Sequence, residues 1–132
     1  MRLAADLPLL SQAERSCLDR YLDLLVERLG EDLLEVSAYG SVARAEPWPR
    51  GMPIRSDLDL MVITCEPVPT DLADELVDET MPLFLECGRQ LGPVFKTPDE
   101  LAHPKSERAA EFLRQFRRDA IPLYDASRRL RQ

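Results

Sequence analysis

A chain of 132 residues is the size of one domain and too short for two independent hydrophobic cores. Hydrophobic residues make up 45% and charged residues 31%, the balance of a folded globular protein and not of a disordered tail. Seventeen Lys and Arg against 24 Asp and Glu give a net charge of −7, which argues against coating nucleic acid as the main task.

From the N-terminus, residues 1–10 read as an arm: MRLAADLPLL carries an early Asp6 and lacks the apolar core of a signal peptide. Ser11-Gln12-Ala13-Glu14 is a capping box, in which the Ser11 hydroxyl takes a backbone N–H and Glu14 reaches back. Leu18, Tyr21, Leu22, Leu25 and Leu29 then recur at helical spacing, and Gly30 supplies a stop. A strand is expected from Leu33 to Tyr39, running into Gly40-Ser41 and one helical turn over Val42-Ala43-Arg44-Ala45. Three prolines and a glycine within residues 46–55 exclude regular structure from that proline-rich insert. Asp57-Leu58-Asp59-Leu60-Met61-Val62-Ile63-Thr64 reads as a central strand, buried after its first turn, with Cys65 as core filler at its end. Thr70 to about Leu91 reads as a helix bent at Pro82 and ended by Gly92, followed by a short strand over Pro93–Thr97. Thr97-Pro98-Asp99-Glu100 is a second capping box opening a short helix. Ser106–Asp119 forms the last helix, with Phe112, Leu113 and Phe116 toward the core, and Ile121–Tyr124 a last strand before a basic tail over 126–132. The elements sum to one domain over 1–132 of α/β (α+β) class, a small mixed sheet flanked by helices.

The residue inventory narrows the chemistry. The single histidine, His103, precedes Pro104, and no nucleophile elbow, Walker-type loop, Gly-x-Gly-x-x-Gly run or Cys-x-x-Cys pair is present. Cys17, Cys65 and Cys87 are odd in number and widely spaced, which points to a reducing, cytoplasmic setting without a disulfide framework. The longest apolar stretch, Leu60 to Cys65, is too short to cross a bilayer, so no membrane partner is expected. Carboxylates, hydroxyls, basic side chains and a hard metal remain.

Asp57 and Asp59 carry the strongest signal. Residues i and i+2 of a strand share a face, with Cα atoms roughly 6–7 Å apart. Two carboxylates aimed at one point repel unless a cation lies between them, and oxygen donors alone suit Mg²⁺ or Mn²⁺. On its own an Asp-x-Asp at a strand end is more often a solvated terminus. Gly40-Ser41 changes the balance, because a glycine ending one strand lets backbone approach an anion and the serine adds a hydroxyl and N–H groups. A phosphate cradle after one strand and a metal-binding pair opening the next make a coherent phosphoryl-transfer site.

Tyr39-Gly40-Ser41-Val42-Ala43-Arg44 followed by Ser56-Asp57-Leu58-Asp59-Leu60 resembles the signature of the DNA polymerase beta-like nucleotidyltransferase superfamily, especially its minimal nucleotidyltransferase, antitoxin-like branch. The resemblance extends over the preceding helix at Ser11–Gly30, the later strand at Leu91–Thr97 and the closing segment Phe112–Tyr124. It implies transfer of a nucleoside monophosphate from a nucleoside triphosphate to an acceptor hydroxyl. Asp57 and Asp59 would then be the catalytic and metal-binding residues, with Gly40, Ser41, Arg44 and Ser56 on the nucleotide. The acceptor it implies for so short a chain is a partner protein, as in toxin–antitoxin pairs, with homo- or hetero-oligomerisation open. Three departures stand against the pattern: Ala45 replaces a usual glycine, fifteen residues separate Ser41 from Asp57, and Pro93–Thr97 offers Lys96 where a third carboxylate is usual. The last of these keeps a second reading alive, a nucleotide- or partner-binding module with little or no activity. A relic of the fold that only stabilises a complex is a third. The basic stretch 101–132, with 8 basic and 4 acidic residues against 9 and 20 over 1–100, is a solvated face or a docking surface for an acidic partner.

Overall fold

The computed structural model describes residues 10–40, 43 and 57–127. The insert at 46–55, most of the arm and most of the basic tail lie outside them.

Helix α1 (Gln12–Leu29) starts where its sequence says it should: Ser11 Oγ accepts from Glu14 N–H and Glu14 Oε1 from Ser11 N–H. Its stripe of Leu18, Tyr21, Leu22 and Leu25 is fully buried. After a 3₁₀ turn at Gly30–Asp32 come β1 (Leu33–Tyr39) and β2 (Leu58–Thr64), paired antiparallel. The chain continues through α2 (Thr70–Asp78), α3 (Thr80–Cys87), β3 (Leu91–Lys96), α4 (Pro98–Ala102), α5 (Glu107–Asp119) and β4 (Ile121–Asp125). The sheet order is β3-β2-β1-β4; β3 runs parallel to β2, and β4 antiparallel to β1.

Strand parity divides the labour. Val36 and Ala38 of β1 and Leu58, Leu60 and Val62 of β2 point to one side and join the α1 stripe, Leu76 and Leu91 in a single apolar cluster. Tyr21 fastens this layer by donating from its hydroxyl to the Leu76 carbonyl at 2.7 Å. The opposite side carries Tyr39, Asp59 and Met61, and α5 lies over it: Tyr39 meets the rings of Phe112 and Phe116 edge-on, each at 5.6 Å between centroids.

Several expectations need correction. The stretch Thr70–Leu91 is two helices, not one bent at Pro82. The break falls at Glu79, where the Thr80 hydroxyl donates to the Val77 carbonyl, and Pro82 sits in the first turn of α3, where a missing N–H costs nothing. The helix ends at Cys87, with Gly88 in the left-handed region at φ +79°, so Gly92 is a strand residue and β3 begins earlier than expected, at Leu91. Cys65 is exposed, not core; all three cysteines are free. Phe112 is 40% exposed beside Tyr39, while Leu113 and Phe116 are buried as expected. Leu10, assigned to the arm, belongs to the core.

A buried ion pair lay outside the sequence reading. Arg89, in the turn after α3, donates from Nε to Glu14 Oε2 at 2.5 Å, with both side chains almost fully buried. Glu14 therefore closes the α1 cap with one oxygen and holds the entry to β3 with the other. Burial alone would raise its carboxyl pKa, but the Ser11 backbone hydrogen bond and the Arg89 guanidinium more than offset this and hold it below the usual value.

Candidate active site

The end of the sheet where β1 finishes and β2 and β3 begin collects the residues of interest. Asp57 immediately precedes β2 and is exposed; Asp59 lies inside the strand and is half-buried. Asp59 pairs with Tyr39 on one side and with Gly92 on the other. Gly92 sets no side chain beside the carboxylate, and Tyr39 is followed directly by Gly40.

Gly40 is glycine for two reasons. Its φ of +81° is a conformation that side-chain-bearing residues rarely adopt, and a Cβ there would collide with Asp59 Oδ2. Asp59 thus packs its carboxylate against the bare backbone at the end of β1. Gly92 is looser: a Cβ would lie 3.6 Å from Asp59 Oδ1 and 3.9 Å from Asp57 Cβ, ordinary contact distances. That one added atom would touch both aspartates shows that they share a face, as the i, i+2 spacing requires.

Two carboxylates on one face, with no side chain at Gly92 beside them, are a donor set for a hard divalent cation. Among the described residues no third His, Cys, Asp or Glu completes a metal-binding cluster. Mg²⁺ commonly takes one or two carboxylates and leaves its remaining positions to water and substrate phosphates, so a pair fits it. On this face β3 offers Gly92, Val94 and Lys96, confirming the lack of an acid there. Glu100 is committed to the α4 cap, accepting from Thr97 N–H at 3.0 Å, and Asp99 is exposed beside His103.

The sequence motif contains Tyr39 but assigns it no role. Its phenol pKa is pushed up by burial and further by the negative charge of Asp59. With Phe112 and Phe116 it ties α5 to the site. Asp119 was missed altogether: with Tyr39, Gly40 and Gln115 it lines a small cleft of about 150 Å³ beside the end of β1. The β1–β4 register, with Ala38 opposite Ile121, explains why the chain entering β4 runs alongside Gly40. No short-range pattern announces that neighbour. Of the sequence-derived site, Asp57, Asp59 and Gly40 are brought together; Ser41, Arg44 and Ser56 lie outside the described residues.

No protein-family model matches the chain, and no curated protein sequence matches it. Solved structures do. A chain in the crystal structure of a mutant of the toxin–antitoxin MntA-HpeT superposes with a TM-score of 0.50 at 15% identity, covering 81% of this chain and 72% of that one. A crystal structure of a toxin–antitoxin with AMP-PNP gives 0.52 at 14% identity, covering 81% and 73%. A second MntA-HpeT mutant, in which two aspartates one residue apart are replaced by glutamate, gives 0.52 at 13% identity, covering 81% and 71%. The chain shares its α+β fold, a four-stranded mixed sheet with flanking helices, with these toxin–antitoxin chains. Its particular likeness is to the toxin–antitoxin MntA-HpeT structures.

Proposed function

We propose that the protein is a Mg²⁺- or Mn²⁺-dependent nucleotidyltransferase that moves a nucleoside monophosphate from a nucleoside triphosphate to a hydroxyl on a partner protein. The observation that carries this reading is the placement of Asp57 and Asp59 on one face, with Asp59 packed against a positive-φ glycine whose Cβ would collide with it. Two solved neighbours support it in kind: one holds AMP-PNP, and in another a pair of aspartates with the same i, i+2 spacing was the target of mutation.

In this reading Asp57 and Asp59 would hold a divalent ion, which when bound would supply positive charge against the phosphates of the nucleotide. Gly40 brings bare backbone to the triphosphate, and Ser41, Arg44 and Ser56 add hydroxyl and guanidinium contacts. The acceptor oxygen forms a bond to the α-phosphorus, the bond to pyrophosphate breaks, and the hydroxyl proton leaves to solvent. The site works in a reducing, cytoplasmic setting, and among the described residues no helix is long and apolar enough to cross a membrane.

The test is incorporation of labelled nucleotide. Asp57→Asn with Asp59→Asn abolishes transfer while leaving the thermal melt near wild type; full turnover in the double variant overturns the assignment. The lack of an acid on β3 among Gly92, Val94 and Lys96 favours a second reading, a module that binds a nucleotide or partner without transferring anything. Intact mass of the protein and candidate partners after incubation with nucleotide separates the two: an added nucleotide mass on any component supports the enzyme, and binding without it supports the module.

A further inference from the structure

The sheet face that carries Asp57 and Asp59 does not end with them. Met61, two residues along β2 and so roughly 6–7 Å further on, begins the floor of a second and larger pocket of about 290 Å³. Val94 and Leu113 complete the floor and Phe112 stands as an aromatic wall. The rim is of another character. The chain has two lysines and one histidine, and all three, Lys96, Lys105 and His103, line this one pocket.

They arrive from different places: Lys96 from the end of β3, opposite Ile63; His103 from the cap of α4; Lys105 from the turn before α5. Neither lysine has an ion-pair partner among the described residues, although the first hundred residues carry 20 acids to 9 bases. The one acid on the rim, Glu100, is engaged by the backbone N–H of Thr97. An apolar floor beneath unpaired cations, at the small end of the usual range for ligand pockets, selects an organic anion.

Resting on the transfer reading above, we propose that this pocket is the acceptor subsite. It takes a carboxylate or phosphate carried on an apolar or aromatic stem, and it sets the acceptor's hydroxyl toward the two aspartates on the same face. The stem lies on Met61 and Leu113 against Phe112, and the anion is held by Lys96 and Lys105. A free small molecule and an acidic segment of a polypeptide present the same chemistry, and the experiment distinguishes them.

The experiment is calorimetric titration of the full chain with phenyl phosphate, with 3-phenyllactate, with a blocked Glu-Phe-Ser-Glu tetrapeptide, and with 2-phenylethylammonium as a cationic control. The anions bind, and the cation binds at least about tenfold more weakly, as does any anion to Lys96→Glu with Lys105→Glu, the loss expected when charge-assisted hydrogen bonds are removed. Ala109→Trp, which fills the pocket from the α5 wall, blocks binding without touching the charges. Preference for the small anions assigns a free acceptor; preference for the tetrapeptide assigns an acidic polypeptide. Unchanged binding in both the charge-reversed and the filled variants, or equal binding of the cation, overturns the proposal. Asp57→Asn with Asp59→Asn keeps anion binding, which separates the two inferences. If nucleotide transfer occurs but ignores the acceptor's charge, the subsite falls and the transferase stands. If anions bind and no component ever gains a nucleotide, the subsite stands as a binding site and the transferase falls.

Discussion

Gly40 and Gly92 flank the same carboxylate and make opposite demands. Replacing Gly40 with alanine forces a left-handed backbone on a residue with a Cβ, which costs about 1–2 kcal/mol, and drives that Cβ into Asp59 Oδ2. The expected outcome is a lower melting temperature together with loss of nucleotide transfer, because the aspartate must turn away from the shared face. Gly92→Ala meets nothing closer than 3.6 Å and changes stability by less than about 1 kcal/mol. Differential scanning fluorimetry on the two variants side by side checks this; equal melting shifts would show that Asp59 is not fixed by the end of β1. At this scale the shared face of Asp57 and Asp59 was legible, because alternation along a strand is a local rule. The sequence was silent about Tyr39 against Phe112 and about Gly92 beside Asp59, since both contacts join residues more than thirty positions apart and depend on which strands become neighbours.

Among the elements, α1 and the start of β3 are coupled through Glu14 and Arg89. Glu14→Gln keeps an oxygen for the α1 cap but removes the carboxylate charge from its buried pair with Arg89, a loss of about 1.5–3 kcal/mol in urea or thermal unfolding. The pH dependence follows from the same pair. Glu14 is held below its ordinary value of 4.5 in the folded chain, so its contribution is fully present above that value and is lost as pH falls through the depressed one. Unfolding followed from pH 7 downward shows wild type losing stability in that acidic window, and Glu14→Gln losing less over the same interval. A Glu14→Gln curve parallel to wild type would remove Glu14 from the acid response. Element boundaries were legible where a cap or an alternation marked them, as at Ser11, Thr97 and β1. They were misread across α2 and α3, where Pro82 drew attention and the left-handed Gly88 did not. A proline in a first turn and a proline in mid-helix look alike until the preceding break is known.

Across the whole molecule, strand parity assigns one face of the sheet to cohesion and the other to the candidate site. The face toward α1 is apolar and fully buried; the face beneath α4 and α5 holds the aspartates, the aromatic contact of Tyr39 and the cationic pocket. The basic character of residues 101–132, ambiguous as a sequence feature, gains a location in part, since Lys105 stands on that pocket's rim and α5 forms its wall. The small mixed α+β fold was legible in part from two short motifs, because they bracket a pair of adjacent antiparallel strands. The pocket was not, because it is assembled from β2, β3, α4 and α5 together.

The central position of β2 has a consequence in time. Its amides are bonded to β1 on one side and β3 on the other, and Leu58, Leu60 and Val62 anchor it in the core, so it belongs to the part of the chain that opens only with global unfolding. In deuterium-exchange mass spectrometry, peptides spanning Leu58–Thr64 are expected to retain protium longer than those spanning α4. Asp59 rides on that slow segment. Its carboxylate therefore keeps its place for as long as the sheet itself does.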